Sequence, residues 1–134
     1  MAFLSSKAIY GVAAMYAISR TTNNKPMQVK EIAAMTHISH GYLEQLLSSL
    51  RKSNLLVSIR GAQGGYKLAR SADQISVLEI IEAVEGAFYK IDGNVGASTI
   101  LEYFWSDIEN KMCAMFEMKL SELYRSSQPY FYEI

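Results

Sequence analysis

The order of patterns between residues 29 and 69 constrains the fold most, because two short helical patterns are followed directly by two strand patterns. A helix is predicted from about Val29, and a second carries leucines at helical spacing from Leu43 to Leu50. Residues 36–39 interrupt them, and Ser39 is a residue type that begins helices. Two short helices joined by a tight turn predict a helix-turn-helix, whose second helix enters the DNA major groove. The predicted apolar face of its first helix comprises Ile32, Ala33 and Met35.

The strand patterns predict a hairpin immediately after the second helix. Residues 55–59 and 66–69 are the two strands, and the glycine-rich run 61–65 is the turn. A hairpin in this position is a wing. Its tip would bring Arg60 towards the minor groove.

Helical patterns also flank this unit. Ser5 or Ser6 can cap a first helix, Ser76 with Glu79 matches a capping box, and Gly86 would end that later helix. The predicted apolar faces are Ile9, Val12, Ala13, Tyr16 and Ala17 in the first helix, and Val77, Leu78, Ile80, Ile81 and Val84 in the later one.

A further apolar repeat with spacings of four, three, four and three predicts a heptad seam about two heptads long. Such a seam suits a dimer contact, and the alternative is an ordinary amphipathic helix packed on its own domain. The aromatic run 129–132 either folds back on the core or packs on a partner. The seam consists of Leu101, Trp105, Ile108, Met112 and Met115.

The net charge is zero but is divided unevenly along the chain. Residues 1–70 hold nine basic and two acidic side chains (+7), and residues 71–134 hold four basic and eleven acidic ones (−7). A basic half attracts a polyanion, because releasing counterions from the phosphate backbone drives binding. The charge pattern therefore predicts a nucleic-acid-binding face and an acidic remainder.

Composition excludes several classes of protein. Cys113 is the single cysteine, so neither an internal disulfide nor a multi-cysteine metal site is predicted. The sequence has no run of about 20 apolar residues and no signal-peptide pattern, so we expect a cytoplasmic protein without a membrane partner. No paired carboxylates, nucleophile–base set or cofactor loop indicates an enzyme. Cys113 is either a small buried hydrophobe or a redox switch, and His37 with His40 lacks the third ligand that a metal needs.

Two stretches resemble the Rrf-two family of bacterial winged-helix regulators, which includes IscR, NsrR and CymR. They are residues 39–52 (SHGYLEQLLSSLRK) and 57–70 (VSIRGAQGGYKLAR). The resemblance extends to residues 76–81 with 85–86, to Trp105 and to residues 120–123. It implies a mainly α fold with a small β-hairpin wing, namely a winged helix-turn-helix with a long dimerisation helix.

The chain departs from the family where many members hold an iron–sulfur cluster with three cysteines. Residues 87–104 contain neither cysteine nor histidine, and a cluster needs several thiolates or equivalent ligands. We therefore expect no cofactor and a likeness to the cluster-free members.

The family reads the major groove with its recognition helix, which implies roles for matching residues here. Glutamine can pair with adenine, glutamate can accept from the cytosine amino group, and Arg60 is expected in the minor groove. The alternative for Glu44 is a surface acid that pairs with a basic side chain nearby. His40, not typical of the family, either contacts phosphate or is merely exposed. Arg51, Lys52 and Lys67 are candidates for phosphate contacts. The expected DNA-binding set is Ser39, His40, Gly41, Tyr42, Glu44, Gln45, Arg51, Lys52, Arg60, Gly64 and Lys67.

These inferences predict a transcription regulator that binds a palindromic operator on double-stranded DNA as a homodimer, most often as a repressor. The predicted organisation is a DNA-binding domain over 1–86, a sensor loop over 87–100 for a small-molecule or protein effector, and a dimerisation helix with the C-terminal segment over 101–134. The alternative is a winged-helix protein-interaction module that has lost DNA reading.

Overall fold

The structure is a computed structural model that describes residues 3–91, 93 and 99–123. Its helices are α1 to α5, its strands are β1 and β2, and two short 3₁₀ turns lie between them. In chain order these elements are α1 (Ser6–Ser19), a 3₁₀ turn (Thr22–Asn24), α2 (Val29–Thr36), α3 (His40–Lys52), β1 (Leu56–Ile59), β2 (Gly65–Leu68), a second 3₁₀ turn (Ala72–Gln74), α4 (Val77–Glu85) and α5 (Thr99–Met115).

Helix α1 begins at the predicted cap but buries a different face from the one predicted. The Ser5 hydroxyl accepts a hydrogen bond from the Lys7 N–H at 3.1 Å. Ile9 is 59 % exposed, so its assignment to the core was wrong. The helix is apolar on most of its circumference, and spacing alone therefore did not identify the packed side. Its buried residues are Ala8, Gly11, Ala14, Met15, Ala17 and Ile18.

Helix α2 buries Ile32 as predicted, but Met35 is 54 % exposed and does not belong to its core face. With only eight residues, the helix has room for one narrow buried stripe. The four buried leucines of α3 are Leu43, Leu46, Leu47 and Leu50. Leu43, Leu47 and Leu50 belong to the main core, where α3 packs against α1 and α2.

The hairpin is present within one residue of its predicted bounds. Strands β1 and β2 are antiparallel, with Leu56 opposite Leu68 and Ile59 opposite Gly65. The other edge of β2 is paired too, since Met27 and Tyr66 exchange two backbone hydrogen bonds of 2.8 Å. This bridge, which the sequence did not indicate, ties the start of the helix-turn-helix to the wing.

Helix α4 has the predicted cap residue but only half of the predicted capping box. The Ser76 hydroxyl accepts from the Glu79 N–H at 3.1 Å, and Gly86, with φ of 83°, follows the last turn. The Glu79 carboxylate instead pairs with the Arg70 guanidinium at 2.8 Å. The capping box is incomplete because the Glu79 carboxylate binds Arg70 rather than the backbone N–H of Ser76. Val77, Ile80 and Ile81 are buried, while Leu78 and Val84 are half-buried.

After α5 the chain returns to the core of the N-terminal unit. The Val77 N–H donates to the Met118 carbonyl at 2.9 Å, and the Leu120 N–H donates to the Ile75 carbonyl at 2.8 Å. Leu120 is 1 % exposed and joins the main core. Helix α5 therefore projects between two anchored segments. Within the described ranges, no helix is long and apolar enough to cross a membrane.

Candidate nucleic-acid interface

The turn between α2 and α3 is held by local hydrogen bonds and one buried side chain. The Thr36 hydroxyl donates to the Ile32 carbonyl at 2.7 Å, and His37 takes a left-handed backbone with φ of 60°. Ile38 then inserts into the core. These contacts fix the direction of α3, so its outer face has a defined orientation relative to the rest of the domain.

The face of α3 opposite its leucines presents most of the predicted base-reading residues to solvent. Ser39 precedes the helix, and its side chain does not cap it, so the hydroxyl is not engaged by the helix N-terminus. Tyr42 differs from the others because it is half-buried, and its ring contacts the Tyr10 ring edge-on with centroids 5.6 Å apart. The exposed members of the set are Ser39, His40, Gly41, Glu44 and Gln45.

Glu44 has a partner within its own helix. The Nε2 atom of His40 lies 3.0 Å from the Oε1 atom of Glu44, one helical turn away, and the side chains are 58 % and 59 % exposed. An ionised carboxylate only accepts hydrogen bonds, so Nε2 of His40 carries the proton. A surface pair of this kind contributes little to folding stability, on the order of 0.5 kcal/mol.

The wing tip is attached to the helix-turn-helix through Gln28. The Gln28 side-chain amide donates to the Ala62 carbonyl at 3.1 Å. Gly64, predicted to contact DNA, is buried, and a side chain there would overlap the Ile59 carbonyl. Its role in this fold is the shape of the tip. Arg60, at the same tip, is exposed.

Basic side chains extend the exposed face beyond α3. Arg51 and Lys52 lie in its last turn and are exposed, while Lys67 on β2 is half-buried. Within the part of the chain that the structure describes, no carboxylate pairs with these three or with Arg60. Cations without a protein partner remain available for phosphate oxygens. We call the exposed row on α3, the wing tip and these cations the reading face, because together they are the candidate surface for DNA.

Helix α5 differs from the other helices because none of its described residues is buried. Of the predicted seam, Leu101, Trp105 and Met115 are 42 %, 39 % and 56 % exposed, and Ile108 and Met112 are half-buried. The chain's own domain therefore covers Ile108 and Met112 in part, while Leu101, Trp105 and Met115 keep much of their surface exposed.

The described start of the predicted sensor loop is bonded to both neighbouring helices. The Tyr89 hydroxyl donates to Glu82 of α4 at 3.2 Å, and the Ile91 N–H donates to Glu109 of α5 at 2.7 Å. The Glu82 carboxylate and partial burial raise the pKa of Tyr89. Residues 92 and 94–98 of this loop, and the aromatic run 129–132, lie outside the described residues.

Cys113 faces the same acidic surroundings. Desolvation, followed by the charges of Glu82, Glu117 and Glu109, raises the pKa of its thiol above the usual range. A raised pKa reduces the thiolate fraction, and the thiolate is the reactive form. The redox-switch reading of Cys113 is therefore disfavoured relative to that of a small hydrophobe.

The residues of this chain do not fit an iron–sulfur cluster. One thiol, at position 113, is present in the whole sequence, and the two histidines, His37 and His40, lie in the helix-turn-helix. Among the described residues no group of three potential ligands comes together. A cluster needs several thiolate ligands or their equivalents, and this chain offers one thiol.

A helix-turn-helix followed at once by a hairpin wing defines a winged-helix DNA-binding protein. Residues 4–126 match the Rrf2 (Rrf-two) family model, described as an iron-dependent transcriptional regulator. The chain therefore belongs to the Rrf-two family. It is a DNA-binding transcription regulator and not an enzyme.

Solved structures and curated relatives agree with this assignment. The structure of CymR (YrzC), titled the global cysteine regulator of B. subtilis, superimposes with a TM-score of 0.83 at 30 % identity, covering 95 % of this chain and 99 % of that one. T. potens IscR superimposes with a TM-score of 0.75 at 34 % identity, covering 92 % and 87 %. The regulator IscR of Photobacterium profundum is 33 % identical over 131 residues, which cover 92 % of this chain and 76 % of that relative.

Proposed function

We propose that this chain binds a twofold-symmetric operator as a homodimer and represses transcription from the promoter it occupies. The observation that carries the proposal is α5, a 17-residue helix without a buried residue that exposes an apolar seam. Repression would need no additional domain, because a dimer bound to promoter DNA prevents RNA polymerase from binding the same site.

The seam supports a second copy of the chain as the partner. Apolar side chains repeating at heptad spacing on a projecting helix bury their surface when an identical helix packs on them. A twofold contact uses the same patch on both protomers, and it places two copies of α3 in symmetric positions. Two recognition helices so arranged match two half-sites of a palindrome.

Each protomer would read one half-site with its reading face. Glu44 and Gln45 face base edges, where the carboxylate accepts from cytosine and the amide pairs with adenine. Arg60 enters the neighbouring minor groove, while Arg51 and Lys52 bind phosphates and fix the register. Tyr42 would contribute its hydroxyl edge only, since its ring packs on Tyr10.

An effector would act through the loop 87–100, which touches both α4 and α5 at its described start. Binding there by a small molecule or a regulatory protein would favour one arrangement of α5 relative to the domain, and so one spacing of the two recognition helices. We propose that no cluster takes part and that the protein works in the cytoplasm, where its DNA is found.

The test is fluorescence anisotropy with labelled DNA from upstream of the chain's own gene, in excess competitor DNA and across a salt series. The wild-type protein is expected to bind despite competitor with a steep salt slope. Lys52→Gln should weaken binding and reduce the slope by about one, because one phosphate-binding cation is lost. Lys111→Gln is the matched control, since Lys111 pairs with Asp107 on the acidic half. Absence of binding at low salt would contradict the proposal.

A further inference from the structure

The pairing of His40 with Glu44 has a consequence for how the operator is read. We propose that His40 is a positioning residue, which favours one orientation of the Glu44 carboxylate and thereby strengthens the base preference at one operator position. The inference rests on the proposed function, because it concerns how the same reading face distinguishes bases.

The pair lies in the N-terminal part of α3, the part of a recognition helix whose side chains contact base edges. His40 is the first residue of α3 and Glu44 lies one turn later, on the side opposite the buried leucines. Their contact of 3.0 Å exists without DNA. The contact favours one orientation of the carboxylate before a base is met, so less side-chain freedom is lost on binding.

The charge of Glu44 explains why such a partner matters. A carboxylate facing a polyanion is unfavourable unless hydrogen-bond donors surround it, and removal of water at the interface makes an unmet acceptor more costly. His40 supplies one donor through Nε2–H. A base amino group then supplies the other, and cytosine suits the carboxylate better than adenine because adenine places an acceptor, N7, beside its amino group.

The pair contributes little to folding, so its removal should not be confused with misfolding. An exposed pair one turn apart changes a folding equilibrium by only about two-fold. At a desolvated interface a hydrogen bond to a charged group is worth more, and we expect a change in base discrimination of about three- to ten-fold.

The experiment uses the operator that the wild-type chain enriches from random duplexes, with every base replaced in turn. Anisotropy gives the dissociation constant of each duplex for the wild type, His40→Ala, Glu44→Ala and the double variant. His40→Gln tests rescue, because its amide can also donate to Glu44. His37→Asn is the matched control, since it removes the other exposed histidine and asparagine tolerates the left-handed backbone there.

We expect His40→Ala to lose discrimination three- to ten-fold at the position that Glu44→Ala identifies and nowhere else. The double variant should be no worse than Glu44→Ala, and His40→Gln should restore part of the preference. Equal weakening of binding to every duplex by His40→Ala would indicate a phosphate contact instead. That result, or additive effects of the two substitutions, would overturn the role proposed for His40 and leave the proposed function standing. A wild-type chain without any base preference would overturn the proposed function and this inference with it.

Discussion

Replacing Trp105 with alanine tests whether the α5 seam joins two copies of the chain. Trp105 is the single tryptophan, lies in the middle of the seam and is 39 % exposed. Its ring contacts Phe104 of the same helix edge-on, with centroids 4.8 Å apart. Its exposed part is therefore available to a partner, and its removal leaves the buried core of the domain intact.

The magnitude follows from the surface that pairing would cover. An aromatic side chain offers up to about 250 Å², so the exposed fraction corresponds to roughly 100 Å² on each protomer. Covering it on both protomers gives at most about 5 kcal/mol, at about 25 cal/mol per Å². Incomplete burial and relaxation reduce this to about 2–4 kcal/mol. The dissociation constant of the dimer should therefore rise about 30- to 1,000-fold.

Sedimentation velocity across a dilution series measures this constant directly. Tyr103→Ala is the matched control, because Tyr103 is an aromatic residue of the same helix that is 74 % exposed and lies outside the seam. In the wild type, tryptophan emission should shift to longer wavelength as the dimer dissociates. Unchanged association of Trp105→Ala, or equal weakening by Tyr103→Ala, would refute the assignment of the seam.

Three further predictions concern the wing and the thiol. Gln28→Ala removes the bond to the Ala62 carbonyl and the Gln28 part of the α2 capping box, so operator binding should weaken about two- to ten-fold in anisotropy and Tm should fall by a few degrees in calorimetry; unchanged binding would argue against the role of this bond. Gly65→Ala should lower Tm by roughly 10 °C in a thermal melt, because Gly65 has φ of 145° and a Cβ would overlap the Met27 carbonyl; an unchanged Tm would argue against the bridge. Since burial and nearby carboxylates raise the pKa of Cys113, its alkylation by iodoacetamide at pH 7–8 should be slower than that of free cysteine and should accelerate as pH rises; alkylation faster than that of free cysteine would contradict this.

Local sequence signals were sufficient to predict helix ends and turns, where one residue type determines the backbone geometry. Ser5, Ser76 and Gly86 end or begin helices where the sequence predicted, because caps depend on side chains within one turn. The hairpin was predicted from the glycines of its turn. Together with the quoted motifs, these local patterns predicted the winged-helix fold, which the structure and its likeness to CymR and IscR confirm.

Contacts between residues distant in sequence could not be predicted from these local signals. The exposure of Ile9 and Met35 depends on which helices pack together, and the diversion of Glu79 to Arg70 depends on a residue nine positions away. The Met27–Tyr66 bridge likewise joins residues distant in sequence. For the reading face, helical spacing placed Glu44 and Gln45 on the surface. The same spacing puts His40 one turn from Glu44, and their contact is the pairing with a basic side chain that was the alternative for Glu44.

The most direct test of the account is selection from a random duplex library by the purified full chain, followed by sequencing of the bound DNA. The account predicts one enriched motif that is an inverted repeat, with half-sites separated by about one helical turn or a multiple of it. Glu44→Ala should relax the same position in both half-sites. Enrichment of no motif, or of a motif without twofold symmetry, would contradict operator reading by a symmetric dimer.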